Sequence, residues 1–549
     1  MGAWEWLSNT YKRIEKMNTA SKKISIISSV KNEAPSSLLS QRISRDLIIA
    51  LMGPVGSGLP AISTELQEKL QAKGYIVHRI KISDFIKTCI ENSTVDIDDD
   101  GEKHRYIKYQ TAGNKLREKF NTEILAEYAI NQIGRHRQSL LKKQSDAGQI
   151  RLAFLIDQIK HQDELKLLRL VYRNNLYALG VMSLQEQREH RLMEEGITKQ
   201  DSQSIISRDK KESDSWGQQL EKTFKLADYF LQNPFGKMDF VSKQIERFIS
   251  LVHGSNKITP TTQEHSMYVA YTAAAKSACL SRQVGASICD DSGKIIAIGT
   301  NDVPKSGGGL YSADDVEDYR CFNKNICEND REKNERLEKI KNAIKIKINS
   351  LSKEMPEEHS QIIQKQDWAS ILFETVKESS GIKDLIEFSR AVHAEMDALI
   401  SITRTGGVST KNGTLYTTTF PCHNCARHII ASGIKKVYYI EPYAKSLALK
   451  SHSDDITVYD FENDASQEQT NKVMFIHFTG VAPRAFTSLF SRDEGRKNSS
   501  GTFIEFNDCT NELPEKMVKE YRDSYIDFEL KVAAVFDSEF SGKNHTLDI

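Results

Sequence analysis

The sequence carries no surplus of charge: Lys+Arg and Asp+Glu each number 75. No overall basic field therefore draws the chain to nucleic acid or to an anionic membrane. No apolar run approaches the ~20 residues of a bilayer-spanning helix, and no leader-like segment opens the chain, so a membrane partner is not expected. Cysteine is sparse, eight in 549 residues without dense spacing. That argues against a disulfide scaffold and suits a reducing cytoplasm in which thiols stay available for metal. The opening MGAWEWLSNTYKRIEKM holds Trp4, Trp6, Leu7, Tyr11 and Ile14, which fits a docked terminal helix better than an interfacial anchor. The expectation is a soluble, cytoplasmic protein of two to four domains.

What is present centres on Arg390 to Arg427: RAVHAEMDAL, a Gly-containing connection, then TLYTTTFPCHNCARHI. His393 and Glu395 form H-x-E, and Cys422 and Cys425 form P-C-x-x-C. One imidazole and two thiolates fill three positions of a tetrahedral Zn2+ and leave the fourth for water, as catalytic zinc requires. Glu395, two residues past His393, is near the metal without being needed on it, where a carboxylate can move protons. The segment after the cysteines reads as a helix, whose N-terminus favours thiolate over thiol. A redox pair, or a closed structural site completed by His423 or His428, is the alternative reading. The order H-x-E then P-C-x-x-C, with Pro421 before the first cysteine, is the signature of zinc deaminases and favours the catalytic one.

Earlier in the chain, RDLIIALMGPVGSGLPAISTELQEKLQAKGYIVHRIKIS predicts a strand (Leu47 to Met52), a Gly-rich turn, an amphipathic helix and a second strand (Tyr75 to Ile82). The turn lies where a phosphate loop belongs. Gly53 and Gly58 have the separation of G-x-x-x-x-G-K-[ST], and Gly53, Ser57 and Gly58 are the candidate nucleotide-binding residues. Leu59 and Pro60 replace the consensus Lys and Ser/Thr. Asp157 ends a second buried strand, and VYRNNLYALGVM follows as a third. With SRDKKES and KLADYFLQN, residues 45–250 resemble a nucleoside monophosphate kinase domain of the P-loop type. A generic α/β domain whose turn is only a turn is the other reading. The departures favour nucleotide sensing or scaffolding over phosphoryl transfer.

Downstream, EHSMYVAYTAAAKSACLSR predicts a helix and QVGASICDDSGKIIAIGTNDVP a hairpin. A catalytic helix over about 389–404, strand TLYTTTF, the cysteine helix and strand KKVYYIEPY complete an α/β/α layered domain. LSRQVGASICDDSGKIIAIGTNDVP and VYYIEPYAKSLALKSHSD resemble segments of the deoxycytidylate deaminase family. Joined to the first half and to KVMFIHFTGVAPRAFTSLF, the chain is similar to the long bacterial anti-phage dCTP deaminases.

The fold class expected is thus an N-terminal P-loop kinase-like parallel sheet plus a C-terminal cytidine-deaminase-like α/β/α domain. The boundaries are a lead-in (1–44), the first domain (45–250), the deaminase domain (260–485) with a helical insertion (310–380), and an extension (486–549). The resemblance places Asn301 on a sugar- or base-contacting Asn and Tyr443 on a substrate-facing Tyr; each could instead be structural. Arg282 is a candidate phosphate ligand. In the insertion, Leu337, Ile340, Ile344, Ile348 and Leu351 have helical spacing suited to packing on the domain or a partner subunit. Cys321 and Cys327 are either a second metal site or two unpaired thiols. Glu512 to Phe536 reads as a further helix. The implied function is zinc-dependent hydrolytic deamination of a free deoxycytidine nucleotide, dCTP first and dCMP second, depleting dCTP against phage. Alternatives are a polynucleotide cytosine or adenine deaminase and a non-catalytic zinc-stabilised nucleotide sensor. A regulatory nucleotide, a host-made inhibitor (protein or RNA) and homo-oligomerisation complete the expected partners.

Overall fold

The computed structural model describes residues 44–97, 105–143, 151–210, 220–354, 366–406, 408–443, 446–459, 471–491, 496–504 and 522–541. The N-terminal Trp-containing segment lies outside them, as do 512–521 of the last expected helix.

The first sheet grows from LIIALM. Strand β1 (Leu47–Met52) is buried along its whole length. Its side chains divide by period two: Leu47, Ile49 and Leu51 join one apolar cluster, Ile48, Ala50 and Met52 the other. A strand apolar on both faces needs cover on both, the mark of a parallel sheet between helices. It is joined by β2 (Ile76–Lys81), β3 (Leu152–Asp157), β4 (Leu176–Met182) and β5 (Tyr229–Gln232), all parallel, in the order β5-β4-β1-β3-β2. Helix Leu59–Ala72 connects β1 to β2 and buries Ile62, Leu66 and Leu70. Pro60 falls in its first turn, where the missing N–H costs nothing.

The second sheet holds a hairpin, β6 (Gly285–Cys289) and β7 (Ile295–Thr300), then β8 (Thr414–Thr419), β9 (Lys436–Glu441), β10 (Ile456–Val458) and β11 (Val473–His477). Its order is β10-β11-β9-β8-β6-β7. The hairpin is antiparallel to itself and to β8, and the remaining pairs are parallel. The molecule is therefore α/β with one largely parallel and one mixed sheet. The helix expected over 389–404 runs instead from Ala394 to Thr405, because His393 keeps extended backbone as its N-cap. In the insertion, helix Glu328–Glu354 buries Leu337 and packs on helix Trp368–Ser379, while its Ile346 stays exposed. Among the described residues, no helix is long and apolar enough to cross a membrane.

The two halves share elements. Strand β12 (Gly480–Val481) leaves the second sheet and pairs antiparallel with β5 at the edge of the first. Glu264 accepts from the Val481 N–H at 2.9 Å and pairs with Arg247 at 2.6 Å. Helix Arg522–Ser541 does not extend the deaminase half; it packs on helix Ile124–Lys143 of the first. There the buried Arg137 guanidinium meets the Asp46 carboxylate and both oxygens of Glu529 at 3.3 Å. The Tyr525 hydroxyl donates to Asp46 at 2.8 Å.

Removing one member of such a buried triad leaves uncompensated charge. Arg137→Ala should destabilise the N-terminal half by about 3–5 kcal/mol, read as an earlier urea transition and faster proteolysis within 522–541. Arg137→Met combined with Asp46→Asn and Glu529→Gln should recover most of the loss.

Candidate active site

Two helices begin at one point over the second sheet. His393 is the N-cap of helix Ala394–Thr405, and Glu395 lies in that helix's first turn. Cys422 is the N-cap of helix His423–Ala431, and Cys425 lies in its first turn. The first helix is pressed against the hairpin. A Cβ on Gly299 would lie 2.1 Å from the Ala394 carbonyl oxygen, so only glycine permits this approach. Asp397 accepts from the Thr300 N–H at 3.1 Å, and the Val392 N–H donates to the Asp302 carbonyl at 2.9 Å. These contacts fix the helix start in rotation and height.

The resulting geometry brings His393 Nδ1 to 3.3 Å from Cys422 Sγ and 3.4 Å from Cys425 Sγ. Glu395 Oε2 lies 3.6 Å from Cys425 Sγ. The hydrogen bond from Cys425, then that from His393, brings the Cys422 thiol down to about 4, while Cys425 is pushed up by its neighbour and by burial. The bond to Cys422 raises His393 to about 9. Burial raises Glu395, so its carboxyl can carry a proton nearer neutral pH than an exposed one. The nitrogen and the two sulfurs lie within 4.8 Å of one another. One imidazole and two thiols are a donor set suited to zinc.

Neither histidine of the closed-site alternative joins this group. His423 Nε2 faces Glu387 at 3.4 Å, and His428 Nδ1 lies 2.7 Å from the Asn424 carbonyl. The fourth side of the donor set instead opens on a cavity of about 500 Å³ lined by His393, Glu395 and Cys422, within the range of small-molecule sites.

The other expected residues divide. Asn301, Tyr443 and Arg282 all line this cavity. The Asn301 amide accepts from the Val284 N–H at 2.7 Å and donates to the Arg282 carbonyl at 2.8 Å. That holds the loop ahead of β6 and leaves one N–H for the cavity. The Arg282 guanidinium lies over the Tyr443 ring at 5.3 Å. Cys321 is buried and Cys327 half-buried; among the described residues, neither belongs to a group of three metal donors. Sequence reasoning missed Lys333 and Asn329, which the inserted helix contributes to the cavity wall. No spacing rule connects that helix to the metal motif.

Gly53, Ser57 and Gly58 do form one tight turn at the carboxyl end of β1, with Gly58 left-handed at φ 78° as N-cap. A cavity of about 370 Å³ adjoins it, lined also by Asp157 and Lys160. The turn is filled from within. The Val55 N–H donates to Asp209 at 2.6 Å, and Lys160 Nζ bridges the Gly53 carbonyl (2.7 Å) and Asp209 (2.9 Å). A Cβ on Gly56 would lie 2.8 Å from the Arg188 carbonyl.

A mixed sheet with an imidazole and two thiols at paired helix N-termini, beside a buried carboxyl and an open cavity, defines a metal-site domain of the deaminase class. Residues 260–441 match the family described as the cytidine and deoxycytidylate deaminase zinc-binding region. The chain is 31% identical over 190 residues to the deoxycytidylate deaminase of Enterobacteria phage T4, covering 35% of this chain and 81% of that one. To its counterpart from Enterobacteria phage T2 it is 30% identical over 190 residues, covering 35% and 84%. The crystal structure of dCMP deaminase from cyanophage S-TIM5 in apo form is similar at 17% identity over 40% of this chain and 100% of that one, with a TM-score of 0.20. The chain belongs to the deoxycytidylate deaminase family.

Elemental analysis should find one zinc per chain in the purified protein. Cys422→Ala and His393→Ala should lose it together with some thermal stability, and Glu395→Ala should retain it.

Proposed function

We propose that the protein hydrolyses the 4-amino group of a free deoxycytidine nucleotide, dCTP first and dCMP second, giving the deoxyuridine nucleotide and ammonia. The observation that carries this reading is Glu395, a buried carboxyl within 3.6 Å of a donor sulfur at the floor of a cavity sized for one mononucleotide. A structural metal would gain nothing from it. Arg282 and Lys333 line the same cavity together with Asp330 and Asp384. Lys333 lies 3.9 Å from Asp330, so Arg282 is the cation that suits a phosphate-bearing substrate rather than a bare nucleoside.

His393, Cys422 and Cys425 would hold zinc. When bound, zinc lowers the pKa of a water toward ~7. Glu395 takes a proton from the water that adds to C4 of the pyrimidine and delivers it to N3. It then carries the second proton to the departing amino group, so that the C4–N bond breaks as ammonia leaves. Asn301 and Tyr443 would orient the sugar and ring, and the buried Phe420 lines the same cavity.

The resemblance to long anti-phage dCTP deaminases supports a setting in defence, in which loss of dCTP starves phage replication. Control through residues 45–250 by a nucleotide or a host-made inhibitor, and assembly as a homo-oligomer, belong to the same reading.

Purified protein incubated with dCTP, dCMP, CTP, deoxycytidine and single-stranded DNA should release uracil products from the free deoxynucleotides only. Glu395→Ala should lower kcat by about 10²–10⁴-fold with zinc retained; comparable turnover in that variant would overturn the assignment. During infection, cells carrying the parent should lose dCTP, and cells carrying Glu395→Ala should not.

A further inference from the structure

The cavity's phosphate-facing cation has a competitor. Glu441, the last residue of β9, holds its carboxylate 4.0 Å from Arg282 Nη1. Thr419, its partner across the β8–β9 ladder, donates a long bond to it at 3.4 Å. A carboxylate there would draw the guanidinium from the cavity and cancel the charge offered to a phosphate. It does not close on Arg282, because a lysine from the other half of the molecule has it: Lys225 Nζ lies 2.7 Å from Glu441 Oε2.

Lys225 is placed there by a clamped turn. It follows helix Leu220–Phe224 and leads into β5. The next carbonyl, Leu226 O, accepts from Arg169 at 2.6 Å and from Arg484 at 2.9 Å. Asp228 pairs with the same two arginines at 2.7 and 3.0 Å, and its carbonyl accepts from the Ala482 N–H at 2.9 Å. Arg169 belongs to the first half and Arg484 to the second, so the turn is fastened to both. Glu441 is 18% exposed at its side chain and Arg282 is 42% exposed. The carboxylate is therefore the more sheltered partner, and its counter-ion matters more than that of a fully exposed pair.

We propose that Lys225 is a positioning residue for substrate phosphate: by neutralising Glu441 it leaves Arg282, stacked on Tyr443, free to bind the nucleotide. The N-terminal half thereby sets the affinity of the zinc cavity through one ion pair, and movement of the 225–228 turn would transfer Glu441 to Arg282. The inference rests on the reading of the cavity as a deoxycytidine nucleotide site with Arg282 on the phosphate.

The test is steady-state kinetics of the full chain with dCTP and dCMP. Lys225→Ala should raise KM about three-fold with kcat unchanged, an effect that fades as salt is added. Lys225→Arg should behave as the parent. The decisive variant is Lys225→Ala with Glu441→Gln: removing the competing carboxylate should return KM to the parent value. Deoxycytidine, used as a competitor without a phosphate, should inhibit Lys225→Ala and parent equally. An unchanged KM in Lys225→Ala, or a double variant as weak as Lys225→Ala, would overturn the inference and leave the deaminase reading standing. Arg282→Ala with the parent KM would refute the phosphate role of Arg282, and a parent inactive on every deoxycytidine nucleotide would refute the function itself.

Discussion

Everything at the candidate active site depends on two helices starting at the same place. Each begins with a donor, His393 in one and Cys422 in the other, and each points its positive end at the space between them. The close approach that makes this possible is a backbone matter. Helix Ala394–Thr405 lies directly on β7 because Gly299 has no side chain to hold it off. A methyl group there would displace the helix start, and with it both His393 and Glu395. Three weakly acidic or basic groups are thereby forced within a few ångströms of each other. Their mutual contacts lower the Cys422 thiol and raise His393, so the two share a proton that a bound metal would have to displace.

The second constraint is that the first half does not close its own surfaces. The edge of the first sheet is covered by β12, and one of its helices is covered by Arg522–Ser541, both from the far end of the chain. Edge strands left bare invite association, so β12 protects β5 while tying the two sheets together. The turn at 225–228 lies within this seam, and through Lys225 it reaches Glu441, whose carboxylate lies 4.0 Å from Arg282 in the wall of the candidate cavity. Any ligand or partner that shifts the first half against the second acts on a contact already in electrostatic touch with the site.

Legibility in the sequence followed the range of the interaction. Strand β1 was readable to the residue, since LIIALM is an uninterrupted apolar run bounded by charge and glycine. The grouping of His393, Cys422 and Cys425 was readable because metal chemistry fixes both residue type and spacing within each short motif. The helix start at 394 was not, because the 390s carry no stop signal and the cap is set by docking on Gly299. Lys333 and Glu441 were invisible for a different reason: their roles come from segments distant in sequence, and a lysine in a charge-rich helix or a glutamate at a strand end looks like solvated surface. The docking of the last helix on the first half was equally hidden, since amphipathic spacing says that a helix must pack but not on what.

The Gly-rich turn shows how a pattern can be kept while its surroundings change. With Leu59 and Pro60 in place of the consensus pair, the turn has no lysine of its own. An ammonium nevertheless stands beside it, Lys160 from the segment after β3, and a carboxylate, Asp209, takes the backbone N–H that an anion would use. Both are nearly fully buried. Breaking such a pair by removing one member costs about 3–5 kcal/mol, because the other is left as an uncompensated buried charge. The two residues thus fasten helix Lys199–Lys210, which carries Asp209, to the turn at the end of β1 and to the segment after β3.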